Sequence, residues 1–164
     1  MKLYQHRFDS PEGYLHHRPP YLMVERVVSV SAVEVVTEKK LSGDEFFIAG
    51  HFPGAPVLPG AMMQEMSTQS GGILIAAEHN PMQDYNTSDP LHNEYALGVL
   101  VKVQKARFRG FARPGQLLEA RVVLNECVES LFDFTATLCA DGERIMQNQF
   151  QLTNIKSSTL TGRE

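Results

Sequence analysis

Alternating apolar and polar positions run through the second half of the chain and predict β-strands. Residues 95–108 are rich in Val and Leu with lysines between them. Three further segments alternate in the same way, over 118–124, 132–138 and 146–152. Turn-forming residues separate the strands at 113–115 and 141–142. We therefore expect these four strands to form an antiparallel meander.

The first half of the chain carries two other patterns. Residues 21–40 are enriched in β-branched side chains and predict one or two strands. Residues 50–60 hold three prolines and predict a stiff loop, with Pro59 placed at the entry of a helix over 61–78. Apolar residues cover nearly all sides of this helix, which predicts burial, although Gly71 and Gly72 weaken its helical propensity.

The order of these elements indicates an α+β fold, in which an antiparallel sheet packs around one central helix. A length of 164 residues fits one domain covering 1–164. Residues 1–17 are interpreted as an N-terminal arm, and 79–93 as a long loop inserted at the surface. The polar segment 156–164 is expected to be a frayed tail.

Composition narrows the class of protein. The net charge of -4 gives no overall attraction to nucleic acid or to an anionic membrane, and no segment resembles a membrane span or a secretory signal. Two cysteines are too few for a disulfide scaffold, which favours a cytoplasmic location. We interpret His6, His16 and His17 as surface residues instead of metal ligands. No metal or cofactor is expected.

Glu65 is the first candidate for chemistry. It is the only acidic or basic residue in the twenty-six positions from Phe52 to Ala77, and it lies on the predicted buried helix. Burial raises the pKa of a carboxyl group by as much as about 3 to 5 units, which leaves a neutral acid able to donate a proton near pH 7. The alternative is a Glu that reaches solvent on an exposed face of the helix.

His51 is the second candidate, because histidine is the side chain best suited to general-base work near neutral pH. The stiff loop holds it close to the helix start, where the N–H groups of Gly60 or Ala61 can stabilise an oxyanion. A base, an acid and an oxyanion donor together suit α,β-elimination next to a carbonyl group. A rise of about 1.5 Å per residue puts Glu65 about 7 to 8 Å along the axis from Gly60, so a partner chain is a possible source of one group.

The sequence also resembles a known family. Residues 46–60, which read FFIAGHFPGAPVLPG, followed by Glu65 and Gln69, resemble the active-site signature of the 3-hydroxyacyl-[acyl carrier protein] dehydratases of fatty-acid synthesis. Segments 18–27 and 106–115 resemble the family's first strand and a later strand and turn. The resemblance covers roughly 18–155 and implies a hotdog fold, in which the sheet wraps the long helix.

The resemblance also assigns roles. It implies that His51 is the catalytic base, that Glu65 is the catalytic acid, and that the Gly60 amide binds the thioester carbonyl. Gln69 matches a polar residue one turn beyond Glu65. The implied reaction converts 3-hydroxyacyl thioesters to trans-2-enoyl thioesters in fatty-acid or polyene biosynthesis, without a cofactor. Glu at position 65 resembles the simple dehydratase branch, since the isomerising branch has Asp. The family forms homodimers, or assemblies of dimers, with sites built from both chains.

A basic cluster is visible without the family. Five basic residues occur in twelve positions with no acidic residue among them: Lys102, Lys105, Arg107, Arg109 and Arg113. Such a cluster suits an acidic partner, and the resemblance supplies acyl carrier protein as that partner. A solvated strand face is the alternative explanation.

Two other functions remain open at this stage. A hotdog thioesterase would use the helix carboxylate to activate water, but it leaves His51 without a role. A non-catalytic partner that binds acyl carrier protein would be free to lose His51 or Glu65, and both are present.

Overall fold

One long helix lies at the centre of the computed structural model, which describes residues 1–88 and 93–162. Four helices occur in this part of the chain: α1, Pro11–Tyr14; α2, Phe46–Ala49; α3, Gly60–Glu78; and α4, Ser157–Thr161. The long helix α3 begins one residue before the predicted start, and fourteen of its nineteen residues are buried, as its apolar sides predict. The short helix α2 was not predicted. Residues 89–92 of the predicted loop and 163–164 of the predicted tail lie outside the described residues.

The sheet has six antiparallel strands in the order β1-β2-β4-β5-β6-β3. Their bounds are β1, Arg26–Val30; β2, Glu34–Lys40; β3, Tyr95–Phe108; β4, Leu117–Val128; β5, Leu131–Ala140; and β6, Glu143–Lys156. The predicted strands and the α+β class are confirmed. The four-strand meander is wrong, because β4, β5 and β6 form one but β3 pairs with β6. β2 occupies the other side of β4, with Val35 opposite Val122, which leaves β3 the free edge of β6.

The core lies between α3 and the sheet. Strand β5 alternates buried and more exposed residues, and Phe132, Phe134 and Leu138 point toward the helix layer. Phe134 is fully buried with Ile73 and other residues of the C-terminal half of α3. Burial of one such aromatic side chain contributes about 1.5–3 kcal/mol. Met63, from the N-terminal half of α3, packs into a second apolar cluster.

Two glycines allow α3 to approach β3 closely. Gly98 has a φ of 75°, a conformation that glycine adopts without strain. A Cβ atom added at Gly98 would lie 2.7 Å from the Cα atom of Gly72, so the backbones meet without side chains between them. A glycine at position 72 is therefore needed for the close packing of α3 on β3, a requirement that helical propensity does not reveal.

The N-terminal arm and residues 79–88 of the loop pack together on the domain. In the arm, α1 is the short helix, and Tyr14 and Leu15 are buried. The Tyr85 hydroxyl donates to the Tyr14 carbonyl at 2.7 Å, and Tyr4 pairs with Asn80. The described part of the loop is anchored to the arm by contacts that sequence patterns do not reveal, and Asn80 and Thr87 are buried there.

The described part of the C-terminal segment, 156–162, contains a helix and is not a frayed tail. Residues 157–161 form α4, and the buried Ser157 donates its backbone N–H to the Glu94 carbonyl at 2.9 Å. This contact ties the end of β6 to the beginning of β3. Within residues 1–88 and 93–162, no helix combines the length and apolar character needed to span a membrane.

Candidate active site

His51 lies in the loop between α2 and α3, and a hydrogen bond fixes the orientation of its ring. The backbone N–H of His51 donates to the Ile48 carbonyl at 3.2 Å, which extends the turn at the end of α2. Its Nδ1 atom lies 3.0 Å from the carbonyl oxygen of Val57, which can only accept, so Nδ1 carries the proton. In the neutral ring, Nε2 then has the free lone pair that a general base requires.

The start of α3 presents backbone N–H groups that its own carbonyls cannot accept. The Pro59 carbonyl accepts the first helical hydrogen bonds, from the N–H groups of Met62 and Met63 at 3.0 and 3.1 Å. The N–H groups of Gly60 and Ala61 precede these bonds, and the helix dipole adds partial positive charge there. Such a helix start can hold a developing oxyanion.

Glu65 lies in the second turn of α3 with a side chain that is 16% exposed. Gln69 Nε2 donates to its Oε1 atom at 2.9 Å, and the Tyr21 hydroxyl also forms a hydrogen bond with the carboxyl group. Burial raises the pKa of Glu65 and outweighs these two hydrogen bonds, which lower it. The carboxyl group therefore stays protonated to a higher pH than a solvated Glu, as its position on a buried helix predicts.

Gln69 connects α3 to the chain segment that leads into β1. Its Oε1 atom accepts the Met23 N–H at 2.7 Å, and this bond orients the amide group. Its Nε2 atom donates to the Tyr21 carbonyl at 3.2 Å as well as to Glu65. Because both amide hydrogens and the oxygen are used, the donor facing Glu65 cannot rotate away without breaking two backbone contacts.

A cavity of about 460 Å³ lies beside Glu65. The arm and Tyr21 form one wall, the β3 residues 96–100 form another, and Leu160 of α4 closes part of the far side. Apart from Glu65 and the two histidines of the arm, the walls are largely apolar. A flexible apolar chain fits such a space.

Within one chain, the cavity does not bring the two proton-transfer candidates together. Among the described residues that line it, His51, Gly60 and Ala61 do not appear. Strand β3 is at the sheet edge and exposes several apolar side chains, including Leu100, Val101 and Val103. A long exposed edge of this kind is a template for pairing with another strand.

The basic cluster is exposed along and beyond β3. Lys105, Arg107 and Arg109 line a groove of about 320 Å³ on the sheet, together with polar residues of β5 and β6. Arg113 lies in the turn before β4, where its guanidinium group is 5.5 Å from the centroid of the Phe111 ring. Lys102 is exposed on β3. The structure therefore brings three of the five residues to one groove.

The matching family model decides the family. Residues 15–149 match the FabA-like domain, which covers the candidate base, the candidate acid and the whole sheet except residues 150–156, the second half of β6. The chain belongs to the FabA-like family.

Individual relatives agree with this assignment. The FabA-like chain is 31% identical over 143 residues to the 3-hydroxyacyl-[acyl-carrier-protein] dehydratase FabZ of Anaeromyxobacter sp., covering 87% of this chain and 85% of the relative. It is 34% identical to FabZ of Oenococcus oeni over 79% of this chain and 86% of the relative. Among solved structures, the dehydratase heterocomplex ApeI:P from Xenorhabdus doucetiae superposes with a TM-score of 0.74 at 20% identity, over 95% and 97% of the two chains. This superposition confirms the fold.

The arm histidines His6, His16 and His17, interpreted from the sequence as surface residues, are each only partly exposed. In the FabA-like chain, His16 and His17 are half-buried and line the Glu65 cavity. His17 Nε2 lies 3.7 Å from Glu65 Oε1. Tyr21, also at the cavity, was missed as well. The arm has no hydrophobic periodicity, and its place beside α3 depends on contacts with distant residues, so no local pattern signals these positions.

Proposed function

We propose that this chain dehydrates 3-hydroxyacyl thioesters on acyl carrier protein to trans-2-enoyl thioesters. The observation that supports this function best is a carboxyl group, Glu65, whose pKa is raised by burial at the wall of a largely apolar cavity. Elimination of a hydroxyl group needs an acid of this kind, because hydroxide is a poor leaving group unless it is protonated as it departs. The FabZ relatives are named as 3-hydroxyacyl-[acyl-carrier-protein] dehydratases, which supports the same reaction.

In the proposed mechanism, His51 Nε2 removes a proton from the α-carbon of the acyl chain. The negative charge moves to the thioester oxygen, where the N–H groups of Gly60 and Ala61 stabilise it. The double bond then forms as the 3-hydroxyl group departs with the proton of Glu65, giving water. His51 ends with one additional proton and Glu65 with one fewer, so a single proton transfer restores the enzyme. The atoms balance without a cofactor.

We further propose that each site is formed between two copies of the chain. The Glu65 cavity does not include His51, and the apolar side chains on the free edge of β3 would be buried by antiparallel pairing with β3 of a second copy. Pairing would also cover the Phe108 ring that packs against Gly60. His51 of one chain would then act with Glu65 of the other, in a homodimer or an assembly of dimers.

The proposed partner, acyl carrier protein, would approach over the basic cluster. The exposed Lys105, Arg107 and Arg109 share one groove, which suits an acidic surface. Fatty-acid or related acyl biosynthesis is the proposed setting. Both cysteines have free thiols, which agrees with the proposed cytoplasmic location.

The test is a turnover assay with purified protein and 3-hydroxyacyl chains of several lengths, on carrier protein and on pantetheine. Mass spectrometry would follow the loss of water. We expect turnover by the wild type and a loss of about 100-fold or more in His51→Ala and Glu65→Gln, with unchanged circular dichroism, since each variant removes one proton-transfer group. Glu126→Gln, an exposed carboxylate on β4, is the matched control and should retain wild-type rates. Near-wild-type turnover in either active-site variant would disprove the assignment.

A further inference from the structure

We propose that His17 is a positioning residue for Glu65: its Nε2–H faces Glu65 Oε1 and closes to a hydrogen bond when substrate binds, so that the acidic proton resides on Oε2. The proposal rests on the proposed function and adds a residue that orients the proposed acid, Glu65. His17 lines the same cavity as Glu65, its Nε2 atom lies 3.7 Å from Oε1, and its Nδ1 atom is buried.

The tautomer of His17 follows from the surroundings of Nδ1. Among the described residues, this buried atom has no hydrogen-bond partner. A charged imidazole would bury an N–H donor there without an acceptor, whereas a neutral ring with its proton on Nε2 leaves only an unused lone pair. Burial, and then the nearby Arg18 charge, lower the pKa of His17 in the same direction. The neutral tautomer therefore turns its single N–H to Glu65.

Two N–H groups then face one oxygen of the acid. Gln69 Nε2 already donates to Oε1 at 2.9 Å, and the Met23 contact fixes that amide. A neutral carboxyl group has one oxygen that only accepts and one that carries the proton. With Gln69 bonded to Oε1 and the His17 N–H facing the same oxygen, the proton belongs on Oε2. The Tyr21 hydroxyl, which also bonds to the carboxyl group, can accept that proton in a hydrogen bond until the departing hydroxyl group takes its place.

The neutral state of His17 matters as much as its place. A cation at this distance would stabilise the Glu65 carboxylate and lower the pKa of the acid. The charged or titratable groups facing His17 are His16 and Arg18 from the arm, Tyr21, and Glu65 itself. In the described lining of the cavity, β3 and α4 contribute only uncharged side chains.

The arm is held so that His17 stays in place. Arg18 donates to the Leu15 carbonyl at 2.7 Å and to the Thr87 carbonyl at 2.9 Å, and the Thr87 hydroxyl bonds to the Glu12 carbonyl. The loop that follows α3 thus supports the residue beside Glu65. The loop therefore has a structural role, support of the arm, that the proposed reaction alone does not explain.

Three substitutions at position 17 test the proposal, read by kcat, KM and the pKa of Glu65 from carboxyl 13C NMR. His17→Gln keeps a neutral N–H donor and should stay within about threefold of wild-type kcat, with the Glu65 pKa unchanged. His17→Leu keeps the bulk but removes the donor, and kcat should fall about 5- to 10-fold with little change in KM, the kinetic equivalent of one net hydrogen bond. His17→Lys should lower the Glu65 pKa by about 1 unit or more, which moves the alkaline limb of the pH–rate profile to lower pH.

Thr153→Val, which removes a hydroxyl contact with the Ser130 carbonyl at the β5–β6 side of the sheet, is the control for a small loss of stability, and it should lower Tm without moving the Glu65 pKa. A His17→Leu variant with the kcat of His17→Gln would overturn the proposal, as would a folded His17→Lys variant with an unmoved Glu65 pKa. If the wild type dehydrates no 3-hydroxyacyl thioester, the proposed function fails, but the NMR titration still tests whether His17 acts on Glu65.

Discussion

At the scale of single residues, the surroundings of His51 and Glu65 separate their proposed roles. The Val57 carbonyl accepts a hydrogen bond from His51 Nδ1–H. The lone pair of Nε2 is therefore free, so this ring is prepared to accept a proton. Burial raises the pKa of Glu65 and so favours its protonated form, which is the form that can give a proton. A base and an acid with separate environments are what an elimination between two carbons requires.

Asp133 is a different carboxylate, and it supports the first residue-scale prediction. It lies on the outer face of β5, where amide groups from three neighbouring strands donate to it: Gln104, Asn125, Gln149 and Gln151. Burial raises the pKa of Asp133, but these hydrogen bonds, of which the one from Asn125 is the strongest, lower the pKa by more. The pKa of Asp133 therefore lies below its ordinary value. Because the pKa of Asp133 is lower in the folded state, its carboxylate stabilises the fold at pH values above the ordinary pKa of Asp. This stabilisation is lost as the pH falls below that ordinary pKa and through the folded pKa.

We therefore expect Asp133→Asn to lower the free energy of unfolding at pH 7, measured by urea denaturation. The difference from wild type should stay constant down to about pH 4 and shrink at lower pH, where Asp133 itself becomes protonated. Asp44→Asn, an exposed carboxylate outside the sheet, is the control and should show no such trend. A difference that is the same at pH 7 and pH 3 would contradict the role of the charge.

At the scale of elements, periodicity predicts what depends on local burial. The helix 61–78 and the alternating strands were predicted to within a few residues, because each buries a face that repeats along the sequence. The position of β3 in the sheet was not predicted, because its pairing with β6 depends on β2 pairing with the other side of β4. Glu65 stood out as a lone charge in an apolar stretch. His17 did not, because the arm that carries it follows no period.

The contact between α3 and β3 gives a prediction at this scale. Gly98→Ala should lower the free energy of unfolding by about 2 kcal/mol or more, since it adds left-handed strain and a Cβ atom 2.7 Å from Gly72 Cα. Gly142→Ala is matched for backbone conformation, with a φ of 82°, but its Cβ would meet nothing within 4 Å. It should cost about 1 kcal/mol. Equal losses in urea denaturation would show that the close approach contributes nothing.

At the scale of the whole molecule, the chain carries an acidic net charge and a local basic cluster. The proposed partner should therefore be drawn to one face only. The attraction acts mainly on encounter and weakens as the Debye length falls from about 10 Å at 0.1 M salt to about 3 Å at 1 M. A small pantetheine thioester lacks the acidic carrier and should not respond.

The combined Arg109→Glu and Arg113→Glu variant tests this docking surface. It should reduce kcat/KM for the carrier-bound substrate by about 10-fold or more at low salt and flatten the salt dependence, yet leave the pantetheine substrate unaffected. Arg121→Glu reverses an exposed charge paired with Glu34 elsewhere on the sheet and serves as the control. Equal losses on both substrates would assign the cluster to folding or assembly.

The central claim is that His51 and Glu65 complete one dehydration site between two chains, and mixing two inactive variants tests it most directly. In a heterodimer of His51→Ala and Glu65→Gln, one site loses both groups and the other keeps both. With free exchange of subunits, half of the dimers are mixed, so the activity should recover to about one quarter of wild type. Exchange would be verified by native mass spectrometry. No recovery in a mixture shown to contain heterodimers would contradict the account.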